Sequence, residues 1–372
     1  MRLEKLSIYN FRNLSHVEMP QLASFNFIHG VNGSGKTSIL EAVHTVALTR
    51  SFRSRKMDSV ISYDKDDLTV RGELRQGERA GQQIIGVRRP RKGPVLVKLG
   101  GEKLSTAGQL AGVLPVQVIN PASFELLEGS PGVRRQYIDW GVFHVKHSGF
   151  FEYWPRYRKA LQQRNSLLRR GNIDVALLAP WDREMATMGA LIHDARSAHF
   201  ELLISAFSDI YQRLLNLVGA SESNAPSLNV SMNSGWRDSD MGFAEALRSG
   251  LAGDLRAGFT RSGPHRADIE FRVGKMMAGD VLSRGQIKTL VCALKLAQSK
   301  VLLDQGIATV FLIDDLAAEL DEGRCQAVFS ELVALDVQVF ASAVKRSDLH
   351  DSWCLGKGLK RFHVEHGVLT EC

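Results

Sequence analysis

From Leu3 to Phe11, and again from Phe25 to His29, short β-prone runs alternate with polar connectors, which predicts an N-terminal strand pair leading into a glycine loop. Directly after that loop, Ile39, Leu40, Val43, Val46 and Ala47 recur at helical spacing, so the order is strand, loop, helix. Between residues 58 and 118, strand-like pieces (DDLTVRGEL, QQIIGVRR, VLVKLG, VLPVQVI) alternate with Gly and Pro turns and predict a β-rich excursion. The texture changes after Asn120-Pro121. From Gly132 to Val218 the period is helical, and Met185, Met188, Ile192, Ala195, Leu203, Phe207, Ile210, Leu214 and Val218 fall largely on one stripe. That piece, roughly 35 residues, is too short for a long coiled-coil arm. A Ser/Asn/Gly-rich connector follows from Gly219 to Asp240, with strand character at Leu228 to Met232. Ser283 and Gly285 then precede a helix carrying Ile287, Leu290, Val291, Leu294 and Val301. Thr309 to Ile313 and Val337 to Phe340 are continuous apolar runs of the kind found in fully buried parallel strands. The two chain ends are therefore expected to build one sheet, with the helical middle inserted between them.

Composition adds limits. The chain has 372 residues, 44% apolar and 23% charged, an ordinary globular balance that excludes disordered and collagen-like classes. Lys and Arg number 47 against 40 for Asp and Glu, a formal charge of +7 that tilts toward anionic partners such as nucleic acid. Cys292, Cys325, Cys354 and Cys372 form no CxxC pair, so neither a zinc site nor a disulfide framework is indicated, and the expected compartment is reducing. No apolar run reaches the roughly 18 residues of a membrane span, and the charged opening MRLEKLSIYNFRN does not read as a signal peptide, so a cytoplasmic location is expected.

The chemistry concentrates in three segments. Gly30, Val31, Asn32, Gly33, Ser34, Gly35, Lys36 and Thr37 match GxxxxGK[ST] in full. In such a loop, glycines let backbone N–H groups turn inward around the α and β phosphates of a nucleotide. The Lys36 ammonium meets the β and γ phosphates, and the Thr37 hydroxyl holds Mg²⁺ at a helix N-terminus. VFLIDD, Val310 to Asp315, reads as a buried strand delivering Asp314 to the metal and Asp315 to the attacking water as general base. Leu282-Ser283-Arg284-Gly285-Gln286 opens a helix. Ser283 there suits either a plain N-cap or a contact to a γ phosphate held by a second subunit. Two basic runs, Arg50, Arg53, Arg55, Lys56 and Arg88, Arg89, Arg91, Lys92, suit either DNA phosphates or solvated loops. His265 and Arg266 suit either a sheet edge or a ligand.

In their order, the GKT loop, SRGQ, VFLIDD and Ala318-Glu319-Leu320-Asp321 resemble the Walker A, signature, Walker B and D-loop motifs of an ABC-type ATPase head. Within that class the whole chain resembles the RecF family of bacterial recombination and repair ATPases. The resemblance rests on Asn10-Phe11-Arg12-Asn13-Leu14, Thr49-Arg50-Ser51-Phe52-Arg53 and Gly129-Ser130-Pro131 with Arg134-Arg135. Gln163-Arg164-Asn165 and Gly263-Pro264-His265-Arg266 with Asp268 extend it.

The resemblance implies an α/β fold, a P-loop ABC-type head with a mixed-sheet nucleotide lobe and an inserted, mainly α-helical second lobe. Residues 1–125 and 261–372 would form the first lobe and 126–260 the second. It also implies an ATP-dependent homodimer with two ATP molecules and Mg²⁺ between each P-loop and the partner's signature segment. Single- and double-stranded DNA, gapped junctions, RecO, RecR and, indirectly, RecA follow as partners, with a nucleoid-associated role in DNA repair, replication-gap recovery and SOS induction. Carried over residue by residue, Arg12 and Asn32 become nucleotide contacts, Ser283 to Gln286 the contact in trans, and Asp321 the D-loop acid.

Two departures stand out. Ala122 replaces the acid usual after Pro121, and Ser342 stands where ABC transporters carry a switch histidine, which points to a weak, DNA-stimulated ATPase acting as a timer. A transporter subunit lacks the roughly 250 residues between Walker A and signature. An SMC- or Rad50-type protein needs hundreds of heptad residues, and a small-molecule kinase has no use for SRGQ or AELD.

Overall fold

The computed structural model describes residues 1–54, 56–75, 81–104, 107–145, 149–170, 174–219, 227–236 and 242–372. It divides into two compact units, the first made of 1–123, 209–224 and 288–372, the second of 124–208 and 225–287.

The first unit contains two six-stranded sheets. One is antiparallel, with the spatial order β2-β1-β4-β5-β6-β7: β1 Arg2–Phe11, β2 Leu14–Met19, β4 Asp67–Arg75, β5 Gln82–Pro90, β6 Leu96–Leu99 and β7 Glu102–Lys103. The other runs β15-β14-β3-β13-β12-β8: β3 Phe25–His29, β8 Val116–Ile119, β12 Val310–Asp314, β13 Gln338–Ala343, β14 Leu359–Glu365 and the antiparallel edge strand β15 Val368–Glu371. Strands from both ends of the chain thus share one mixed sheet, as expected from their mostly apolar runs. In the second unit, β9 Leu228–Asn233 and β11 Met276–Met277 flank β10 Asp268–Val273.

Two expectations need correction. The runs Leu3 to Phe11 and Phe25 to His29 are not a strand pair. β1 pairs with β2 and β4, whereas β3 lies between β13 and β14. The burial patterns explain this: β3 is buried at four successive positions, as a central parallel strand must be, while β1 packs one face and leaves charged groups on the other. Likewise VQVI, read as part of the β-rich excursion, leaves that sheet and pairs in parallel with β12.

The longer helices are α1 Lys36–Leu48, α2 Pro131–His144, α3 Phe150–Leu168, α4 Ala179–Leu217, α5 Phe243–Ala257, α6 Arg284–Asp304 and α7 Glu322–Ala334. In α4, Met185, Met188, Ile192, Leu203, Phe207, Ile210 and Leu214 are buried, as their spacing predicts. Arg196 and His199 are buried on the same helix, which an apolar count does not foresee. All four cysteines are free thiols, and no helix among the described residues is long and apolar enough to cross a membrane.

Candidate nucleotide site and the buried arginines

The loop Gly30–Gly35 leaves the C-terminal end of β3 and enters α1, the usual crevice of a parallel sheet. Its glycines are required by close approach and conformation. A Cβ on Gly30 would sit 2.2 Å from the Val364 carbonyl oxygen, and Gly35 has φ 124° with Leu14 Cδ2 at 2.8 Å from the Cβ position. The loop is braced from two sides. Asn13 Nδ2 donates to the carbonyls of Gly33 and Ser34, each at 3.1 Å, while Gly367 N–H donates to Ser34 O at 2.9 Å.

Lys36 folds back over the loop and donates to Gly30 O at 2.7 Å and Val31 O at 3.1 Å. Burial lowers its pKa, and the charges of Asp315 and Asp314 act in the opposite direction. Thr37 Oγ1 donates to Asp314 Oδ1 at 2.9 Å across 277 residues of sequence. Ser342 Oγ donates to the same oxygen at 2.7 Å and accepts the Asp315 N–H at 3.1 Å. Asp315 takes φ 56° at the start of the short helix Leu316–Glu319. Burial raises its carboxyl, helped by Asp314, Asp348 and Glu319 and opposed by Lys36.

These residues fit a nucleoside triphosphate with a divalent cation. The Ser34 hydroxyl is buried without a partner among the described residues, Lys36 spends its charge on neutral carbonyls, and no side chain caps α1. Thr37 and Asp314 supply the hard oxygen ligands that Mg²⁺ prefers. Val31, Asn32 and Gly33 are exposed at the loop's outer edge.

Arg12, in a left-handed conformation (φ 54°), pairs through Nε and Nη2 with the fully buried Glu41 of α1, and Nη2 also donates to Ser54 Oγ at 2.9 Å. Asp321 caps α7, its carboxylate accepting the Arg324 N–H at 2.9 Å and pairing with the Arg324 guanidinium. Partial burial raises that carboxyl, and the contacts to Arg324 outweigh it, so it stays below its usual range. Ser283 and Gln286 form a reciprocal capping box. The Ser283 N–H donates to Gln286 Oε1 at 2.8 Å, and the Gln286 N–H to Ser283 Oγ at 3.3 Å. Ser283 and Arg284 are exposed; they and Gln286 belong to the second unit, whereas Lys36, Thr37, Asp314 and Asp315 belong to the first. Gly285 lies in the first turn of α6.

Arg50, Arg53 and Lys56 are exposed, with no carboxylate at ion-pair distance among the described residues; Arg55 lies outside the described residues. In the second basic run two of the four cations are engaged within the chain. Arg88 pairs with Asp67 of β4, and Arg91 donates to the backbone carbonyls of Lys65, Ser62 and Tyr63.

Sequence reasoning passed over Asn13 and Ser342 as site residues. In sequence Ser342 stands out only as the replacement for a histidine, yet it faces Asp314 in the β12–β13 register. The residue opposite the Walker B acid on the next parallel strand is the signal that could have found it.

In the second unit arginines gather into buried pairs, Arg134 and Arg164 from the family motifs and Arg196 from outside them. Arg134 forms a bidentate pair with Asp268, 2.7 and 3.0 Å. Arg164, fully buried, donates to Asp182 and Asp254 at 2.6 Å each and to Thr260 Oγ1 at 2.8 Å. Arg196 grips Asp139 and the Pro264 carbonyl, and the Tyr157 hydroxyl bonds His265 Nδ1 at 2.7 Å. Burial, only partly offset by the Thr260 carbonyl, lowers the His265 imidazole to about 4.

A family model described as the RecF/RecN/SMC N terminal domain matches residues 2–368. The chain is 41% identical to the DNA replication and repair protein RecF of Pseudomonas entomophila strain L48, covering 100% of this chain and 98% of that one. It is 43% identical to that of Chromohalobacter salexigens, with 100% of both covered. Among solved structures it is similar to the recombination mediator protein RecF-ATP in the RecFOR pathway (TM-score 0.85, 26% identity, 100% and 97% of the two chains covered). An Smc head bound to the C-terminal winged-helix domain of ScpA shares the fold alone (TM-score 0.60, 16% identity, 100% and 97% covered). The braced GKT loop, the strand that brings Asp314 to Thr37, and this agreement over the full length lead to one conclusion: the chain has the α/β fold of an ABC-type ATPase head and belongs to the RecF family.

Proposed function

We propose that this chain is an ATP-dependent DNA-binding protein of recombinational repair and replication-gap recovery. The observation that carries the reading is the Thr37–Asp314 hydrogen bond, which joins the two halves of a phosphate and metal site from opposite ends of the sequence. Kinship with DNA replication and repair proteins named RecF, and with a RecF-ATP structure of the RecFOR pathway, supports it.

In this reading the backbone N–H groups of residues 33–37, the Ser34 hydroxyl and Lys36 bind the nucleotide phosphates, with Arg12 and Asn32 at the margin. Thr37 and Asp314 hold Mg²⁺, which when bound supplies positive charge to the phosphate oxygens. Asp315, its carboxyl raised by burial, takes the proton of the attacking water. Ser342 bonds both to Asp314 and to the Asp315 backbone and holds the two acids in place. A hydroxyl there is a weaker proton relay than a histidine, which fits slow, DNA-stimulated hydrolysis used as a timer.

The signature residues Ser283 to Gln286 and Asp321 act across an ATP-driven homodimer formed on DNA near single- to double-strand boundaries, with hydrolysis releasing it. The two-lobed division at about residues 125 and 260, work with RecO and RecR to load RecA, SOS induction and a cytoplasmic, nucleoid-associated location complete the reading. Mixing Ser283→Arg protein with Lys36→Ala protein tests the geometry, because the pair assembles one intact composite site from two defective chains. Hydrolysis above that of either variant alone is the expected result. No gain at concentrations where the parent protein dimerises with ATP counts against the composite site. Asp315→Asn is expected to retain ATP and Mg²⁺ binding and to hydrolyse about a hundredfold more slowly.

A further inference from the structure

Residues 153–173 contain no acidic residue, yet they carry Arg156, Arg158, Lys159, Arg164, Arg169 and Arg170. Helix α3 divides these cations. Arg164 points inward to Asp182 and Asp254, and Arg156 pairs with Glu184 at 2.7 Å. Arg158, Lys159, Arg169 and Arg170 are exposed, and no carboxylate stands at ion-pair distance from them among the described residues. A merely solvated helix face mixes both signs, because like charges spaced along it repel.

The face also has shape. Beside it runs a 580 Å³ groove whose polar lining is Arg158, Lys159, Gln162, Asn165 and Arg169, with Trp154, Pro155 and Leu161 supplying its apolar wall. Trp154 is held rigid, stacked on Tyr157 with centroids 5.7 Å apart and lying under the Arg196 guanidinium at 5.2 Å. From Arg158 to Arg169 is eleven residues, about 16 Å along a helix axis, the axial length of about five base pairs. Besides Lys159, the exposed positions between them are Gln162, Gln163 and Ser166, and the one large apolar side chain exposed on the helix, Phe151, sits in its first turn, about two turns before Arg158. A protein interface centres on apolar or aromatic anchors, whereas a phosphate backbone asks for this mixture of cations, amides and hydroxyls.

We propose that the exposed face of α3, continued by Arg169 and Arg170 at its C-terminal end, is a phosphate-backbone contact surface for DNA, separate from the basic run after α1. The identity of the polyanion rests on the DNA-binding reading above; the existence of the surface does not.

The test uses the full-length protein with ATP and a fluorescent gapped duplex, titrated between 50 and 200 mM salt. The variant replaces Arg158, Lys159, Arg169 and Arg170 with Ala, a good helix former at the first two positions and a small residue at the two exposed positions after the helix end. ATP binding serves as the check on folding. Affinity at 0.1 M salt is expected to fall at least about tenfold, and the slope of log affinity against log salt to shrink by about 2 to 4. Arg158→Gln with Lys159→Gln provides a milder variant with about half the change in slope, and Arg158→Lys with Arg169→Lys, which keeps the charges, should preserve the slope. An unchanged slope in the fourfold variant, with the parent protein binding DNA, overturns this surface alone and leaves an acidic protein as its partner. Failure of the parent protein to bind any DNA overturns the DNA reading and this proposal together.

Discussion

The phosphate loop and the buried arginines of the second unit use similar residues in opposite ways. In the second unit Arg134, Arg164 and Arg196 meet carboxylates at 2.6 to 3.0 Å, in bidentate or branched arrangements largely closed to solvent. Around the loop, Lys36 rests on two carbonyls, the Ser34 hydroxyl has no partner among the described residues, and α1 begins without a side-chain cap. One region pairs its charges within the chain, with Arg164 Nη2 the one guanidinium nitrogen of these three arginines buried without a partner among the described residues, and the other has kept bonding capacity in reserve. Capacity held in reserve in a braced loop marks a place for a ligand, whereas a paired buried ion marks architecture.

The largest effect that sharpens this contrast is expected at Arg164. Arg164→Ala leaves Asp254 buried and uncompensated, and it should lower the unfolding free energy by about 3–5 kcal/mol, read from the urea midpoint. Replacing Arg164, Asp182 and Asp254 together with apolar residues should recover most of that loss, because the unpaired charge is then gone. A small effect of Arg164→Ala would place the cluster among ligand-binding groups instead.

Lys36→Ala should behave in the reverse manner. ATP affinity is expected to fall at least about a hundredfold by calorimetry, with stability changed by less than about 1 kcal/mol, since the ammonium gives up only carbonyl partners that water can replace. Unchanged ATP affinity would remove the loop from the site.

The third expectation concerns pH. His265 has a folded-state value of about 4 against an ordinary 6.5, so the folded chain resists the proton that the unfolded chain accepts. Stability is therefore complete above about pH 6.5 and is lost as the pH falls toward 4, a contribution on the order of 2–3 kcal/mol. In His265→Asn that part of the pH dependence should disappear from denaturation curves measured between pH 7 and 4. A curve as steep as the parent's would assign the effect to other groups.

The smallest expected effect is at Ser283. Ser283→Ala removes one half of the capping box and should cost about 1 kcal/mol. Ser283→Gly, which N-caps nearly as well, separates helix capping from contact in trans: stability largely returns, while loss of ATP-driven dimerisation persists if the hydroxyl serves a partner's nucleotide.

Several elements were legible because local rules suffice for them. The GKT loop and its helix, the acid-ended strand Val310–Asp314, and the stripe of α4 follow from spacing alone, since a 3.6-residue period and a continuous buried run each leave their mark in sequence. Strand partners were harder. β2, β14 and β15 are short or mixed in polarity, and no local feature of β1 and β3 says that they belong to different sheets. Pairing is settled by contacts remote in sequence, as where Val339 meets Phe25.

Charged residues divide along the same line. Sequence alone determined that a GxxxxGK[ST] loop exists here, that a strand ending in carboxylates follows it in the chain, and that cations exceed anions, because each is a property of residue type and local order. Only the tertiary structure decided which cations are available. Arg12 and Arg91, both in segments read as nucleotide or DNA contacts, are largely engaged by Glu41 and by backbone carbonyls, whereas Arg158 in α3 and Arg169 at its C-terminal end, positions outside the motifs, stand exposed. A guanidinium costs too much to bury unpaired, so its role depends on whether folding brings a carboxylate to it, and that depends on the path of the whole chain.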